Sequence, residues 1–204
     1  MARRTEKSTG LEQMRRGIAQ FLEGARAASG AGGRLATSGV PGLVARAWRD
    51  ELLAGYRSDP ASILRPLATR ARDGLVVARD IEFTSICRHH LLPFSGRAHL
   101  VYAPDGRITG LSRLGRLVDC LSRRLQLQES LTREIASAMQ RHLRPAGAAC
   151  VIEATHTCMT MRGARKSRAS IVTSAFTGTL AKSASARREA LAILSLSGPR
   201  RKRP

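Results

Sequence analysis

The chain has 204 residues, of which 43% are apolar and 25% charged; this suits one domain with an accessory segment, and no apolar run approaches the length of a membrane span. Lys and Arg number 35 against 15 Asp and Glu, a formal net charge of +20, so the surface attracts polyanions: nucleic acid, anionic membrane or a phosphorylated small molecule. Aromatics at 3% argue against a single-strand binder built on base stacking, and much of the arginine excess reads as solvated helix faces.

The start, MARRTEKSTG, has no apolar segment behind it and does not read as a secretory signal. Glu6 and Glu12 also interrupt the basic character that a transit peptide needs. A cytoplasmic setting is therefore expected. Of the four cysteines, Cys87, Cys120, Cys150 and Cys158, metal binding or catalysis is then the better default than a disulfide framework.

Residues 11–25 place Leu11, Met14, Ile18, Phe21 and Leu22 on one helical stripe. SGAGGRLATSG, 29–39, reads as a flexible connector, so residues 1–39 form an N-terminal helix and linker. Pro41 suits the first turn of a second helix running through Trp48 to about Tyr56. Beyond Asp73 the texture changes. LVVARDIEF (75–83) and RAHLVYAP (97–104) read as strands, with CRHHLLPFSG between them and a turn at APDGR, 103–107. Helices are expected over about 112–124 and 129–143, the second with Leu131, Ile135, Ala138, Met139 and His142 or Leu143 on one face. Strands over about 148–157 and 169–180 follow, joined by the basic turn RGARKSR. Two strands, two helices and two strands make an α+β domain, 40–194: an antiparallel sheet with helices on one face. Residues 195–204 are a basic tail.

Chemistry concentrates in Cys87-Arg88-His89-His90. A tight turn after a strand brings residues i and i+3 to one side, so Cys87 and His90 can share a metal while His89 points elsewhere. An isolated C-x-x-H more often marks a buried thiol beside surface histidines. A second cluster changes that balance. His156 and Cys158 lie two apart in what reads as a strand, where alternation sends both side chains to one face. Cys158 then completes a Cys–His–Cys set. Three protein ligands leave a fourth position for water, which is the arrangement of a catalytic zinc. His89 and His156 are left for proton transfer. A zinc finger needs a fourth ligand, and the sequence offers no clean one; the nucleobase deaminase signature is absent. Cys120 and Cys150 read as core thiols.

FTSICRHHLLPFSGRAHLVYAP, GLSRLGRLV (110–118), LQLQESLT (125–132), HTCMTMRGARK (156–166) and RREAL (187–191) stand in order, and together they resemble the GTP cyclohydrolase I family over about residues 40–194. The resemblance implies the tunnelling fold, an antiparallel four-stranded sheet backed by two helices with an N-terminal helical extension. It implies rings of subunits stacked into a homodecamer with active sites between subunits. It implies conversion of GTP and water to 7,8-dihydroneopterin triphosphate and formate, with Zn2+ as cofactor. Nucleic acid and membrane are not expected partners.

Carried over residue by residue, the resemblance gives Cys87, His90 and Cys158 to zinc, whose activated water attacks C8 of guanine. His156 becomes the proton donor to the opening ring, with His89 assisting. Gln128 and Glu129 take the guanine edge, Ser112 the ribose, and Arg113, Arg116 and Arg162 the triphosphate. The chain also departs from the family pattern. Arg88 stands where the family has Glu, reversing a charge beside the metal ligands. Arg113 replaces Lys, Leu125 replaces Pro, Ser130 replaces Arg, and Val40-Pro41-Gly42-Leu43 replaces a Thr-Pro-Glu-Arg helix start. Two competing classes follow: a divergent paralogue acting on a purine nucleotide in secondary metabolism, and a non-catalytic basic nucleic-acid-binding protein on the same scaffold.

Overall fold

The computed structural model describes residues 2–30, 38–70 and 72–195. Most of the connector expected over 29–39, and all but the first residue of the basic tail, lie outside them. The chain divides into two compact units, Met1–Ala54 and Gly55–Pro204.

In the first unit, helix α1 spans Ala2–Ser29, well beyond the expected 11–25. Its interior is rich in Ala, Leu, Met, Arg, Glu and Gln and has no proline, so nothing stops it. Glu12 pairs with Arg15 at 2.6 Å and Arg16 at 3.0 Å, one turn on; solvent screens such exposed pairs, and they add little to stability. Leu11, Met14, Ile18 and Leu22 are half-buried, but Phe21 is 72% exposed. Phe21 lies on the margin of the stripe, which explains its departure from the expected buried set. Helix α2, Val40–Ala47, follows Gly39 in the left-handed region (φ 81) and carries Pro41 in its first turn. The second helix does not run on to Tyr56. It slips into a π-helical turn over Trp48–Leu52, where Leu53 N donates to Trp48 O at 2.8 Å. A 3-10 turn at Ala54–Arg57 follows.

The second unit is built on a sheet of β2 (Val76–Cys87), β3 (Pro93–Ala103), β6 (Gly147–His156) and β7 (Ile171–Thr177). Two-residue β5 (Leu125–Gln126) is added parallel to the end of β2, giving the order β5-β2-β3-β6-β7. The expected four antiparallel strands are all present, and β5 is an addition too short to show periodicity. A separate ladder joins β1 (Leu67–Ala68) to β4 (Arg107–Ile108). Short helix α3 (Pro60–Ile63) is capped by Asp59, whose carboxylate accepts from Ala61 N at 3.0 Å.

Helices α4 (Leu111–Ser122) and α5 (Gln128–Leu143) cover one sheet face. Leu114, Leu117, Val118 and Leu121 of α4 meet Leu131, Ile135, Ala138, Met139 and Leu143 of α5 over Phe94, Ala98, Leu100 and Tyr102 of β3. Each fully buried Leu or Ile here contributes about 2 kcal/mol. Leu143 takes the core position and His142 stays half-buried, which settles the pair left open by spacing. Gly55 lies where a Cβ would overlap the Cys120 carbonyl, so only glycine lets the chain pass α4 there.

The opposite face is not bare. β7 stops at Thr177 rather than 180, because Gly178 turns the chain through φ 55. Helices α7 (Gly178–Lys182) and α8 (Ala184–Ser195) then fold under the sheet, burying Leu180 and Ala190 against Val101 and Ala149. α6 (Thr157–Thr160) is a single turn after β6.

β2 carries a bulge between Ala78 and Ile81, with Asp80 at φ 57. Its free amide, Asp80 N, donates to His99 Nδ1 on β3 at 3.2 Å. Burial lowers the His99 pKa, and only the neutral ring accepts this bond. The unfolded chain therefore binds more protons than the folded one just below the ordinary histidine range, and stability falls as pH drops through that window. Between about pH 7 and about pH 5.5, the melting temperature is expected to fall further in the wild type than in His99→Gln, whose amide has no proton to gain.

Candidate active site

The sequence places Cys87 at the last residue of β2, and the backbone there is tied from both sides. The chain reverses over Arg88–Leu91: Leu91 N donates to Cys87 O at 2.8 Å and Cys87 N donates to Leu92 O at 2.9 Å. Leu91 takes φ 53 to close this turn, a conformation unfavourable for a leucine. On the other side Cys87 pairs with Gln126 of β5, and Arg88 N donates to Gln126 O at 3.1 Å. Gln126 is itself buried. Its amide donates to Leu121 O of α4 at 3.1 Å and to Glu134 Oε2 of α5 at 3.0 Å. Both helices thus hold the strand that holds Cys87.

The reversal returns His90 to its start: Nδ1 lies 3.8 Å from Cys87 Sγ. Cys158 joins them, and the ligand atoms of all three lie within 4.8 Å of one another. Cys158 does not arrive by strand alternation. β6 ends at His156, opposite Phe94, because the next partner on β3 is Pro93, which has no N–H to continue the ladder. Thr157 Oγ1 instead donates to Pro93 O at 2.6 Å, and the chain turns helically, so α6 delivers Cys158. The donor set fits a tetrahedral divalent metal, whose sulfur and nitrogen ligands stand roughly 3.5–3.8 Å apart. Burial first, and the Cys87 sulfur second, push the Cys158 thiol above its ordinary value, while Arg162 pulls it down. A divalent cation relieves such crowding of two sulfurs.

Beside the trio stands His156. Its ring stacks on Phe94, with centroids 4.6 Å apart and planes at 3°. Its Nε2 lies 2.7 Å from Gln128 Oε1. The Gln128 amide nitrogen donates to Ile171 O at 2.9 Å and Ile152 O at 3.2 Å, and carbonyls only accept, so Oε1 must face the histidine. The His156 proton therefore sits on Nε2. Burial lowers the His156 pKa, and the Glu129 carboxylate opposes that.

His89 is exposed, edge-on to His90 at 6.1 Å between ring centroids. Glu129 is exposed in the first turn of α5; Arg88, next to Cys87, and Arg162, four residues past Cys158, are also exposed. Ser112 and Arg116 are exposed on α4, while half-buried Arg113 donates to Ile63 O at 2.9 Å. Among the described residues, these three share no bond with the trio. Gln128 is 1% exposed, its side chain engaged inside the fold rather than open to solvent. Phe94 stands in CRHHLLPFSG, between the strands expected from sequence, and only the observed start of β3 at Pro93 sets it opposite His156. Cys120 and Cys150 are buried away from the site as expected, and burial raises both thiols.

A sheet backed by two helices, with a Cys–His–Cys set of three metal-capable residues at its end, differs from a zinc finger, which needs four ligands. The sequence model of GTP cyclohydrolase I matches residues 15–195. GTP cyclohydrolase 1 of Chlorobaculum tepidum is 47% identical over 156 residues, covering 76% of this chain and 69% of that protein. GTP cyclohydrolase 1 of Carboxydothermus hydrogenoformans is 44% identical over 163 residues, covering 79% and 84%. A solved archaeosine synthase, QueF-Like, in the apo form overlaps 52% of this chain and 95% of its own, with TM-score 0.43 and 16% identity. The chain belongs to the GTP cyclohydrolase I family, and its sheet and helices are the tunnelling fold of that family.

Removing one of three ligands is expected to exceed the loss that follows removal of a mere supporting group. Equilibrium dialysis against zinc should show affinity reduced by more than about 100-fold in Cys158→Ala, with His89→Ala close to wild type.

Proposed function

We propose that this protein is a zinc-dependent GTP cyclohydrolase I, converting GTP and water to 7,8-dihydroneopterin triphosphate and formate. The observation that carries the reading is the Cys87–His90–Cys158 trio with an oriented, half-buried His156 beside it. The family's relatives in Chlorobaculum and Carboxydothermus carry that activity in their names.

Cys87, His90 and Cys158 hold Zn2+, which supplies Lewis acidity and hydroxide at neutral pH when bound. His156, with Nε2–H held on Gln128, takes up a second proton at Nδ1 and donates it to the opening imidazole ring of the purine, and His89, exposed at the mouth of the site, assists. Glu129 takes two N–H bonds from the guanine edge. Gln128, given the same role by resemblance, serves that edge from beneath, with its side-chain amide committed to His156. Ser112 attends the ribose. Arg116 and Arg162 grip the triphosphate through planar guanidinium forks. Arg113 has five N–H donors, and the bond to Ile63 leaves the others for phosphate. The catalytic domain runs over 40–194, and the working form is a homodecamer with sites between subunits. No helix among the described residues is long and apolar enough to cross a membrane. A reducing cytoplasm suits a site whose two cysteines serve as thiolates.

The zinc-loaded protein, given GTP, should release formate and yield pterin fluorescence after oxidation. Cys158→Ala should lose both. Formate without pterin would identify the divergent paralogue. Product from Arg88→Glu alone would mean that Arg88 disables the site. Silence from wild type, Cys158→Ala and Arg88→Glu with zinc present would sink this substrate, and salt-sensitive nucleic-acid binding would then favour the non-catalytic class.

A further inference from the structure

The segment after Cys158 carries more positive charge than the assigned residues use. Arg162, Arg165, Lys166 and Arg168 stand within seven residues, and all four are exposed. No carboxylate occurs in sequence between Glu153 and Glu189, and Glu153 is engaged by Ser170 Oγ at 3.0 Å. Among the described residues, no side chain bonds to any of the four cations. A merely solvated surface intersperses both signs of charge, and this loop does not. The backbone folds the charge back on the turn that delivers Cys158. Met161 N donates to Thr157 O at 2.9 Å, Arg165 N to Arg162 O at 3.4 Å, Lys166 N to Met159 O at 3.2 Å and Ala169 N to Lys166 O at 3.2 Å. Gly163 at φ 61 and Arg165 at φ 50 turn the chain for these bonds, and the second conformation is unfavourable for an arginine. Lys166 is thereby anchored to the residue next to Cys158, and Arg165 to Arg162. Like charges gathered this closely repel, and an anion bound among them removes the repulsion.

We propose that Arg165, Lys166 and Arg168 are specificity-determining residues which, with Arg162, read the number of phosphates on the nucleotide. The inference rests on the reading of this site as one for GTP and goes beyond it, since the resemblance gives only Arg113, Arg116 and Arg162 to the triphosphate. Guanine and ribose are the same in GMP and GTP, so contacts to them cannot separate the two. Only the phosphate chain differs, and its negative charge grows with each phosphate. Two further guanidinium forks and one ammonium offer charge-assisted bonds to oxygens that a monophosphate does not have. The backbone bonds of the loop hold these groups near one another before the ligand arrives, which lowers the ordering cost of the contact. Guanine recognition and proton transfer stay with other residues, so the loop acts on binding rather than on the chemical step.

The test uses the full, zinc-loaded chain in steady-state kinetics with GTP, and with GMP as competitor. The triple variant Arg165→Gln, Lys166→Gln, Arg168→Gln should raise KM for GTP by more than about tenfold, with kcat and the Ki of GMP each within about threefold and bound zinc unchanged. The charge-keeping triple variant Arg165→Lys, Lys166→Arg, Arg168→Lys should stay within about threefold of wild type in KM. Lys182→Gln with Arg188→Gln removes two exposed cations from α7 and α8, under the opposite sheet face, and should leave KM within about twofold. Lys166→Gln alone, with KM raised about threefold, carries the test if the glutamine triple variant does not fold. Equal losses for GTP and GMP would overturn the proposal, because the loop would then not read phosphate number. So would an unchanged KM, or a loss in the Lys182 and Arg188 variant as large as that in the loop variant, which would make net charge alone the cause. If the wild type turns over no GTP, the functional reading fails, and equilibrium dialysis of labelled GTP and GMP with the same variants still decides the role of the loop.

Discussion

The site depends on one constraint: the backbone of Cys87 is pinned between a reverse turn and a parallel strand. The turn, closed at Leu91 in a left-handed conformation, sets the distance from Cys87 to His90. The strand, held by Gln126, ties that pair to α4 and α5. A metal site needs its ligands placed to within a fraction of an ångström before the metal arrives, and loops alone do not provide this. Here the large core over β3 gives the helices their rigidity, and Gln126 passes it to the ligands. The unfavourable φ of Leu91 is the kind of local cost that folded proteins concentrate at functional positions.

His156 is fixed by a different route. Phe94 supplies a flat apolar wall and Gln128 a single acceptor, so the ring is held in plane and in proton position. Phe94 sits on β3, Gln128 at the start of α5 and His156 at the end of β6. All three belong to the framework that carries the metal ligands. The Cys–His–Cys set and the orientation of the His156 ring are therefore built on the same packed layer, and disturbing α5 is felt at both.

Much of this was legible in sequence. The C-x-x-H turn and the later H-x-C gave the trio, because ligand chemistry restricts which residue types recur at such spacing. The α5 face was legible because Leu131, Ile135, Met139 and Leu143 repeat with the helical period over four turns. What was not legible depended on partners far along the chain. The end of β6 at His156 is set by Pro93 across the sheet, so alternation gave Cys158 the right destination by the wrong path. The second helical layer, α7 and α8, follows from the turn at Gly178 and from a small apolar patch on Val101 and Ala149 that strand patterns alone do not announce. The inward engagement of Gln128 needs the backbone carbonyls of Ile152 and Ile171, acceptors on two strands far along the chain that carry no sequence signal.

The charge of +20 finds a local counterpart at the site: Arg162 acts on Cys158, and Arg88 follows Cys87 directly. A cationic rim suits a substrate with a triphosphate, and the central claim is the metal within that rim. X-ray absorption at the zinc edge of the loaded full chain tests it most directly. The account predicts two sulfur neighbours at about 2.3 Å, one histidine nitrogen at about 2.0–2.1 Å and one further light atom. Four sulfurs, or a shell of nitrogen and oxygen alone, would contradict it.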